Sequence, residues 1–177
     1  MTVRKATLAD IPRIVAIYDR VLTEEESGRA VIGWIRGVYP TRQTALDAWN
    51  AGTLFVLERE GVVAAAAKID QNQVPEYANA QWKNPDAPPE QVMVLHTLVV
   101  DPLLAGKGCG TEFVRFYEGH ALEHGCRFLR MDTNARNTAA RRLYARLGYR
   151  EAGIVPCVFN GIPNVQLVCL EKTLEVH

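Results

Sequence analysis

The most informative segment of the chain covers residues 92–110 and reads VMVLHTLVVDPLLAGKGCG. Its first half, Val92 to Val100, is almost continuously apolar, which is typical of a central strand that is covered on both faces. Asp101 ends the strand, and glycines follow at alternate positions from 106 to 110. A strand that leads through a glycine-rich turn into a helix points several unpaired N–H groups and the positive end of the helix at one spot. The segment therefore predicts an anion site.

The glycines leave no side chains to keep a diphosphate away from the backbone, and Lys107 adds a positive charge. The motifs of two known nucleotide-binding loops do not match these residues. A Walker A loop would need a glycine where Asp101 stands and a serine or threonine where Gly108 follows the lysine. A dinucleotide fingerprint aligned on Gly108 and Gly110 would need a third glycine where Phe113 stands.

A second segment, residues 132–149, reads DTNARNTAARRLYARLGY. It closely resembles the hallmark N-x-x-A-x-x-L-Y-x-x-x-G-[FY] of the GCN5-related N-acetyltransferases (GNAT), and the glycine loop is similar to the acyl-CoA loop of that family, with Ala105 in place of the usual Gln or Arg. The resemblance extends from Thr2 to about Thr173. It implies the GNAT acyl-CoA N-acyltransferase fold, a mixed α/β (α+β) architecture with a central mixed β-sheet flanked by helices, in one domain over residues 1–177.

The resemblance also implies a cofactor site for acetyl-CoA as co-substrate, without a metal. In the family, strand 4 splays from strand 5 and its backbone binds the pantetheine and polarises the thioester. Asn137 is implied to hydrogen-bond the pantetheine region or nearby backbone, and Tyr144 to lie near the thioester sulfur. The cofactor-binding residues implied in this way are Leu98, Val99, Val100, Ala105, Gly106, Lys107, Gly108, Cys109, Gly110, Thr111, Asn137, Ala140 and Tyr144.

The reaction that the family resemblance implies is direct transfer of an acetyl group to an amine of a small molecule or peptide. Tyr144 suits a general acid at the CoA thiolate, because a phenol with a pKa of about 10 is protonated at neutral pH. His96 is similar to the strand-4 histidine of the arylalkylamine N-acetyltransferase branch and suits a general base, although a strand histidine bonded to a carbonyl is an equal alternative. Glu76, Tyr77 and water are further candidates for the base, and Asp132 is interpreted as part of a strand.

Two other functions stay open, a non-catalytic acyl-CoA-binding or sensing module and a protein acetyltransferase acting on N-termini or lysines. The charge is balanced, with 20 basic and 20 acidic residues, and the sequence has no stripe of basic residues. We therefore expect no nucleic-acid partner. His120 and His124 fit the inward stripe of a helix, and no third ligand accompanies them, so no metal is expected. The absence of a signal peptide or membrane span from the sequence leads us to expect a cytoplasmic protein, and the resemblance raises the option of a homodimer.

Hydrophobic periodicity predicts the element order β-α-α-β-β-β-α-β-α-β-β. The first helix should begin at Thr7, two short helices should lie between Arg29 and Ala51, and a hairpin should turn at Arg59-Glu60-Gly61. The polar stretch from Asp70 to Glu90 predicts a long surface loop and is the leading candidate for substrate contact. Aromatic residues in the variable regions could line an acceptor pocket: Trp34, Tyr39, Trp49, Tyr77 and Trp82.

Overall fold

The computed structural model describes residues 1–176, over which seven strands form one sheet and four α-helices flank it. The elements are β1 (Thr2–Lys5), α1 (Ile11–Glu26), α2 (Arg42–Asn50), β2 (Leu54–Arg59), β3 (Val62–Asp70), β4 (Val92–Val100), α3 (Cys109–Glu123), β5 (Phe128–Asn134), α4 (Thr138–Arg146), β6 (Arg150–Phe159) and β7 (Ile162–Thr173). The strand order is β1-β2-β3-β4-β5-β7-β6, and β4 and β5 form the parallel pair in an otherwise antiparallel sheet. The predicted mixed sheet and element order are confirmed.

Both faces of the sheet are covered, and β4 lies at its centre. Met93 and Leu95 belong to the core beneath α3 and α4, whereas Val92 and Val94 pack under the segment that links β3 to β4. Val99 contributes to a third cluster, beneath α1 and α2. This two-sided burial is the reason for the continuous apolar run, because neither face of the strand meets water.

Two local predictions follow directly from residue chemistry and are confirmed. The Asp10 carboxylate accepts the backbone N–H of Thr7 at 2.7 Å, which holds the chain at the turn before α1. Glu60 and Gly61 both have positive φ, 52° and 77°, as a two-residue hairpin turn between β2 and β3 requires.

The prediction of two helices between Arg29 and Ala51 is half wrong, since α2 forms but residues 30–40 are irregular. Gly33 and Gly37 adopt the left-handed region, with φ of 87° and 79°, which breaks a helical path. Contacts hold the segment over the ends of the central strands: a Cβ on Gly33 would lie 2.3 Å from Nδ2 of Asn134. Tertiary packing has overridden the local helical pattern here.

The segment between β3 and β4 is a loop with short 3-10 turns, as its prolines suggest, but it is not wholly a surface loop. Tyr77 and Trp82 are buried, and their rings meet edge to face with centroids 5.3 Å apart. The indole N–H of Trp82 also donates to the backbone carbonyl of Tyr77 at 2.8 Å. The segment therefore covers part of the sheet.

Candidate active site

The two central parallel strands separate partway along their length. Pairing between β4 and β5 ends at Leu95 opposite Met131, although β4 continues to Val100 and β5 to Asn134. The gap opens into a cavity of about 1180 Å³, which is lined from both strands and from α3 and α4. The backbone groups that face the gap are thus free of a neighbouring strand.

A β-bulge in β4 accounts for the separation. The register with β3 passes from Ala66 opposite Val99 to Lys68 opposite His96, so β4 holds one extra residue, and Thr97 has φ of 55°. A bulge bends its strand and shifts the alternation of side chains by one. The hydroxyl groups of Tyr39 and Thr97 form a hydrogen bond that ties the irregular segment before α2 to this bulge.

The orientation of the β4 backbone follows from its last hydrogen bond to β3. The N–H of Asp101 donates to the carbonyl of Ala64 at 2.8 Å. Because successive N–H groups of a strand point to opposite edges, that of Val100 faces the gap, and that of Leu98 does so by the same alternation. These groups and Val99 lie at the cavity wall, where the family resemblance implies contact with pantetheine.

The glycine loop presents an unusual density of free donors. None of the six N–H groups of residues 106–111 has an acceptor within residues 1–176, whereas Ala105 donates to Pro102 and Glu112 to Gly108. Gly106 and Gly108 have φ of 75° and 80°, and nothing lies within 4 Å of the space a Cβ would take. Six N–H groups without an acceptor at the start of α3 are the donors that the predicted anion site requires.

Gly110 and Asn137 bring the helices of this face together at the cavity. A Cβ on Gly110 would lie 3.3 Å from a methyl group of Leu143 and 3.8 Å from one of Val100, so its small size permits close packing of α3, α4 and β4. Oδ1 of Asn137 accepts the N–H of Ala140 at 3.1 Å and caps α4. The amide nitrogen of Asn137 donates no hydrogen bond within residues 1–176 and is available for the predicted contact with the cofactor.

Tyr144 projects from α4 into the cavity. Its side chain is buried, and its hydroxyl has no hydrogen-bond partner among residues 1–176. Burial, assisted by the negative charge of Asp132, raises the pKa of Tyr144 above its ordinary value. The phenol therefore stays protonated over the physiological range and is free to donate.

His96 lines the same cavity from β4 and forms an acid–imidazole pair. Its Nε2 lies 2.8 Å from Oδ1 of Asp70, and its side chain is 11% exposed. Burial alone would raise the pKa of Asp70, but the hydrogen bond and charge of His96 lower it below its ordinary value. An ionised carboxylate at Nε2 assigns the proton to that nitrogen, which leaves Nδ1 as the basic atom. The partner is a carboxylate rather than the carbonyl of the alternative interpretation.

Asp132 is the cavity residue that the sequence interpretation missed, since it was assigned only to strand structure. It follows Met131, where β5 leaves β4, and its Oδ2 accepts the hydroxyl of Tyr77 at 2.6 Å. Burial raises the pKa of Asp132 to about 6. An acidic residue in the apolar strand FLRMDTN was the available signal, but the sequence does not show which side chains surround it.

Several predicted candidates take other positions. Tyr77 is fully buried and serves Asp132, and Glu76 is not among the residues that line the cavity. His124 is exposed, contrary to its assignment to an inward stripe, because α3 ends at Glu123, whereas His120 stacks on Phe116 with centroids 5.6 Å apart. Within residues 1–176 no three His, Cys, Asp or Glu side chains are grouped to hold a metal, and no helix is long and apolar enough to span a membrane.

The structure also sorts the aromatic residues of the variable regions. Trp34 and Tyr39 line the cavity and meet edge to face with ring centroids 5.9 Å apart. Trp49 packs against the core beneath α1 and α2, and Tyr77 and Trp82 belong to the core beneath the β3–β4 segment. Two of the five are therefore available to a ligand.

The fold is that of the acyl-CoA-dependent transferases, and comparison with known proteins agrees. A model of the acetyltransferase (GNAT) family matches residues 22–149, so the chain belongs to this family of acetyl-CoA-dependent transferases, as the sequence resemblance predicted. No curated protein matches the chain.

Solved structures share the fold at low sequence identity. A GNAT-family acetyltransferase from Streptococcus agalactiae is 20% identical with a TM-score of 0.83, covering 99% of this chain and 96% of its own. The ribosomal-protein-alanine N-acetyltransferase of Brucella melitensis is 23% identical with a TM-score of 0.70, covering 98% and 100%. The protein yncA of Salmonella typhimurium, solved with its cofactor acetyl-CoA, is 22% identical with a TM-score of 0.69, covering 100% and 95%.

Proposed function

We propose that the chain acts as one domain, residues 1–177, that transfers the acetyl group of acetyl-CoA directly to an amine of a small molecule or peptide. The observation that carries this proposal is the continuity of the cavity from the free N–H groups of residues 106–111 to Tyr144 and His96. A phosphate-binding end and a pair of proton-transfer groups in one cavity are what this chemistry requires.

The residues of the chain fit acetyl-CoA along this path. The N–H groups of the glycine loop suit the pyrophosphate. Lys107, which the resemblance implied as a cofactor residue, lines a separate small pocket with Arg13, Arg20 and Asp101. The unpaired N–H groups of Leu98 and Val100 along the strand gap suit the amides of pantetheine and the thioester carbonyl. Ala105 contributes no polar side chain, so the backbone provides the phosphate contacts.

The acceptor arrives as an ammonium ion and must lose a proton before it attacks. Nδ1 of His96 takes that proton and passes it to solvent, and Asp70 stabilises the imidazolium. The amine nitrogen then bonds to the acetyl carbon as the carbon–sulfur bond breaks. Tyr144 gives its proton to the departing sulfur and regains one from the nitrogen. The products are the N-acetyl amine and CoA.

The contact with Asp70 supports His96 over Glu76 as the base. An imidazole held by a carboxylate has a set tautomer and orientation, as in the hydrolase triads, whereas Glu76 lies outside the cavity lining. A water molecule between the amine and His96 would serve the same transfer.

The test is release of CoA thiol from acetyl-CoA in the presence of a panel of amines, including peptide N-termini and lysine side chains. Tyr144→Phe and His96→Ala should each lower kcat by about 10²–10⁴-fold, as expected for loss of a general acid or base. Binding of acetyl-CoA, measured by calorimetry, should change little in either variant. Tyr149→Phe and His124→Ala are matched controls outside the cavity and should keep the parent rate.

If acetyl-CoA binds but no amine accelerates thiol release, the transferase proposal fails. A non-catalytic acyl-CoA-binding module would then be the better description. A protein acetyltransferase would be indicated if peptide and protein amines react and small amines do not.

A further inference from the structure

One carboxylate oxygen of Asp132 accepts a hydrogen bond, and the other accepts none within residues 1–176. Oδ2 accepts the hydroxyl of Tyr77, while Oδ1 has no partner among residues 1–176 and is not one of the enclosed unpaired atoms. The residue is half-buried and lines the cavity. A carboxylate in such a position is costly unless a cation or a set of donors pairs with it.

No basic side chain of the described chain pairs with Asp132. Lys68 lies 3.4 Å from Asp70, and Arg130 donates to Gln73 and to the carbonyl of Asn84. The titratable groups that face Asp132 from the surrounding elements are Tyr39, Glu76, Tyr77, His96, Tyr144, Cys157 and Cys169. They include no lysine or arginine, and Glu76 adds a second negative charge, so this end of the cavity favours a cation.

The walls near this carboxylate are aromatic and apolar. Trp34, Tyr39 and Phe159 line the same cavity, together with Ile162 and Leu167. Aromatic faces attract an ammonium ion electrostatically and also shield an apolar group attached to it.

We infer that Asp132 binds the ammonium group of the acceptor, and that the acceptor is a cationic amine with an apolar or aromatic substituent and no carboxylate on the carbon beside the nitrogen. This rests on the proposed acetyl transfer and deepens it. The second half follows because a carboxylate on that carbon would lie beside Asp132, where no lysine or arginine offsets the like charge. Lys68 and Arg146 line the cavity but do not interact with Asp132.

Three probes of one shape test the substrate class: 2-phenylethylamine, phenylalaninamide and phenylalanine. The first two should exceed the zwitterion in kcat/KM by at least about tenfold, since contact between the like charges of two carboxylates discriminates strongly. The first two represent a small amine and a peptide N-terminus, so their ratio tells these sources apart. Equal or better use of phenylalanine would overturn the inference.

The role of Asp132 is tested by Asp132→Asn, with the exposed Asp86→Asn as the matched control. Asp132→Asn should raise KM for 2-phenylethylamine at least about tenfold while the Kd of acetyl-CoA stays unchanged, because only the ammonium contact is lost. A fall in kcat with KM unchanged would overturn the anchoring role and indicate proton transfer instead.

The pH dependence provides an independent readout. Because burial raises the pKa of Asp132 to about 6, the parent should bind the amine less well below about pH 6, and Asp132→Asn should lose this dependence. The hydrogen bond from Tyr77 lowers that pKa, so Tyr77→Phe, a change at a positioning residue, should move the acid limb to higher pH.

Equilibrium binding of 2-phenylethylammonium to the CoA-bound protein keeps the inference separate from catalysis. Binding by the parent but not by Asp132→Asn, with no binding of phenylalanine, supports it even if no thiol is released. If the parent binds neither 2-phenylethylammonium nor phenylalanine, the inference is overturned, whether or not the transferase proposal holds.

Discussion

Replacement of Asp132 by Asn should make the protein more stable near neutral pH. Burial raises the pKa of Asp132 from 3.8 to about 6, so the folded state holds this proton more tightly than the unfolded chain does. At ~1.4 kcal/mol for each tenfold change in proton affinity, the ionised carboxylate lowers the free energy of unfolding at pH 7 by about 3 kcal/mol. Asparagine is nearly isosteric, carries no charge and can still accept the hydroxyl of Tyr77.

The sign of the pH dependence distinguishes this explanation from better packing. The destabilisation by Asp132 is absent at a pH where the carboxyl group is protonated in both the folded and the unfolded state. It grows as pH rises from about 3.8 to about 6 and is constant above that range. Asp132→Asn should therefore gain about 3 kcal/mol at pH 7 but only about half of that at pH 5.

Urea unfolding of the parent and the variant at pH 7 and pH 5 measures both values, with Asp86→Asn as the exposed control. The control should change stability by less than about 0.5 kcal/mol at either pH. No gain at pH 7, or the same gain at both pH values, would refute the reasoning.

Two further predictions concern contacts that hold the site in place. Asp101 is fully buried, and its carboxylate accepts hydrogen bonds from two arginines of α1 at 2.5 and 2.6 Å. Asp101→Asn should therefore lower the free energy of unfolding by about 2 kcal/mol, which is less than the loss of a fully buried ion pair because the arginines are partly exposed. An unchanged thermal midpoint would contradict this. Gly33→Ala should lose about 2 kcal/mol because its Cβ would meet Asn134 at 2.3 Å, whereas Gly37→Ala, with a similar φ and open space, should lose about 1 kcal/mol. Equal losses in urea unfolding would argue against that contact.

The predictions that succeeded depend on residues close together in the chain. The apolar run of β4 and the glycines after it produce a buried strand and a turn with left-handed glycines, as expected from backbone sterics alone. Asn137 caps α4 through the N–H three residues on, and Glu60-Gly61 turns a hairpin. Each of these depends on the preferences of a few neighbouring residues.

The predictions that failed, and the residues that were missed, depend on contacts between distant parts of the chain. The stretch before α2 has a helical pattern, yet packing of Gly33 on Asn134 and of Tyr39 on Thr97 determines its path. No local pattern indicates that β4 and β5 separate after Leu95, because the separation depends on a bulge seen only in the register with β3.

The sequence by itself determined the family, the glycine loop and the identities of Tyr144 and His96 as cavity candidates. Only the tertiary structure decided which carboxylates accompany them. Asp70 forms a hydrogen bond with His96, which is 26 positions away in the sequence, and Tyr77 forms one with Asp132, which is 55 positions away. The reason is physical: the proton affinity of a carboxyl group is set by the burial and charges that surround it in space, and three strands and a loop must come together before those surroundings exist.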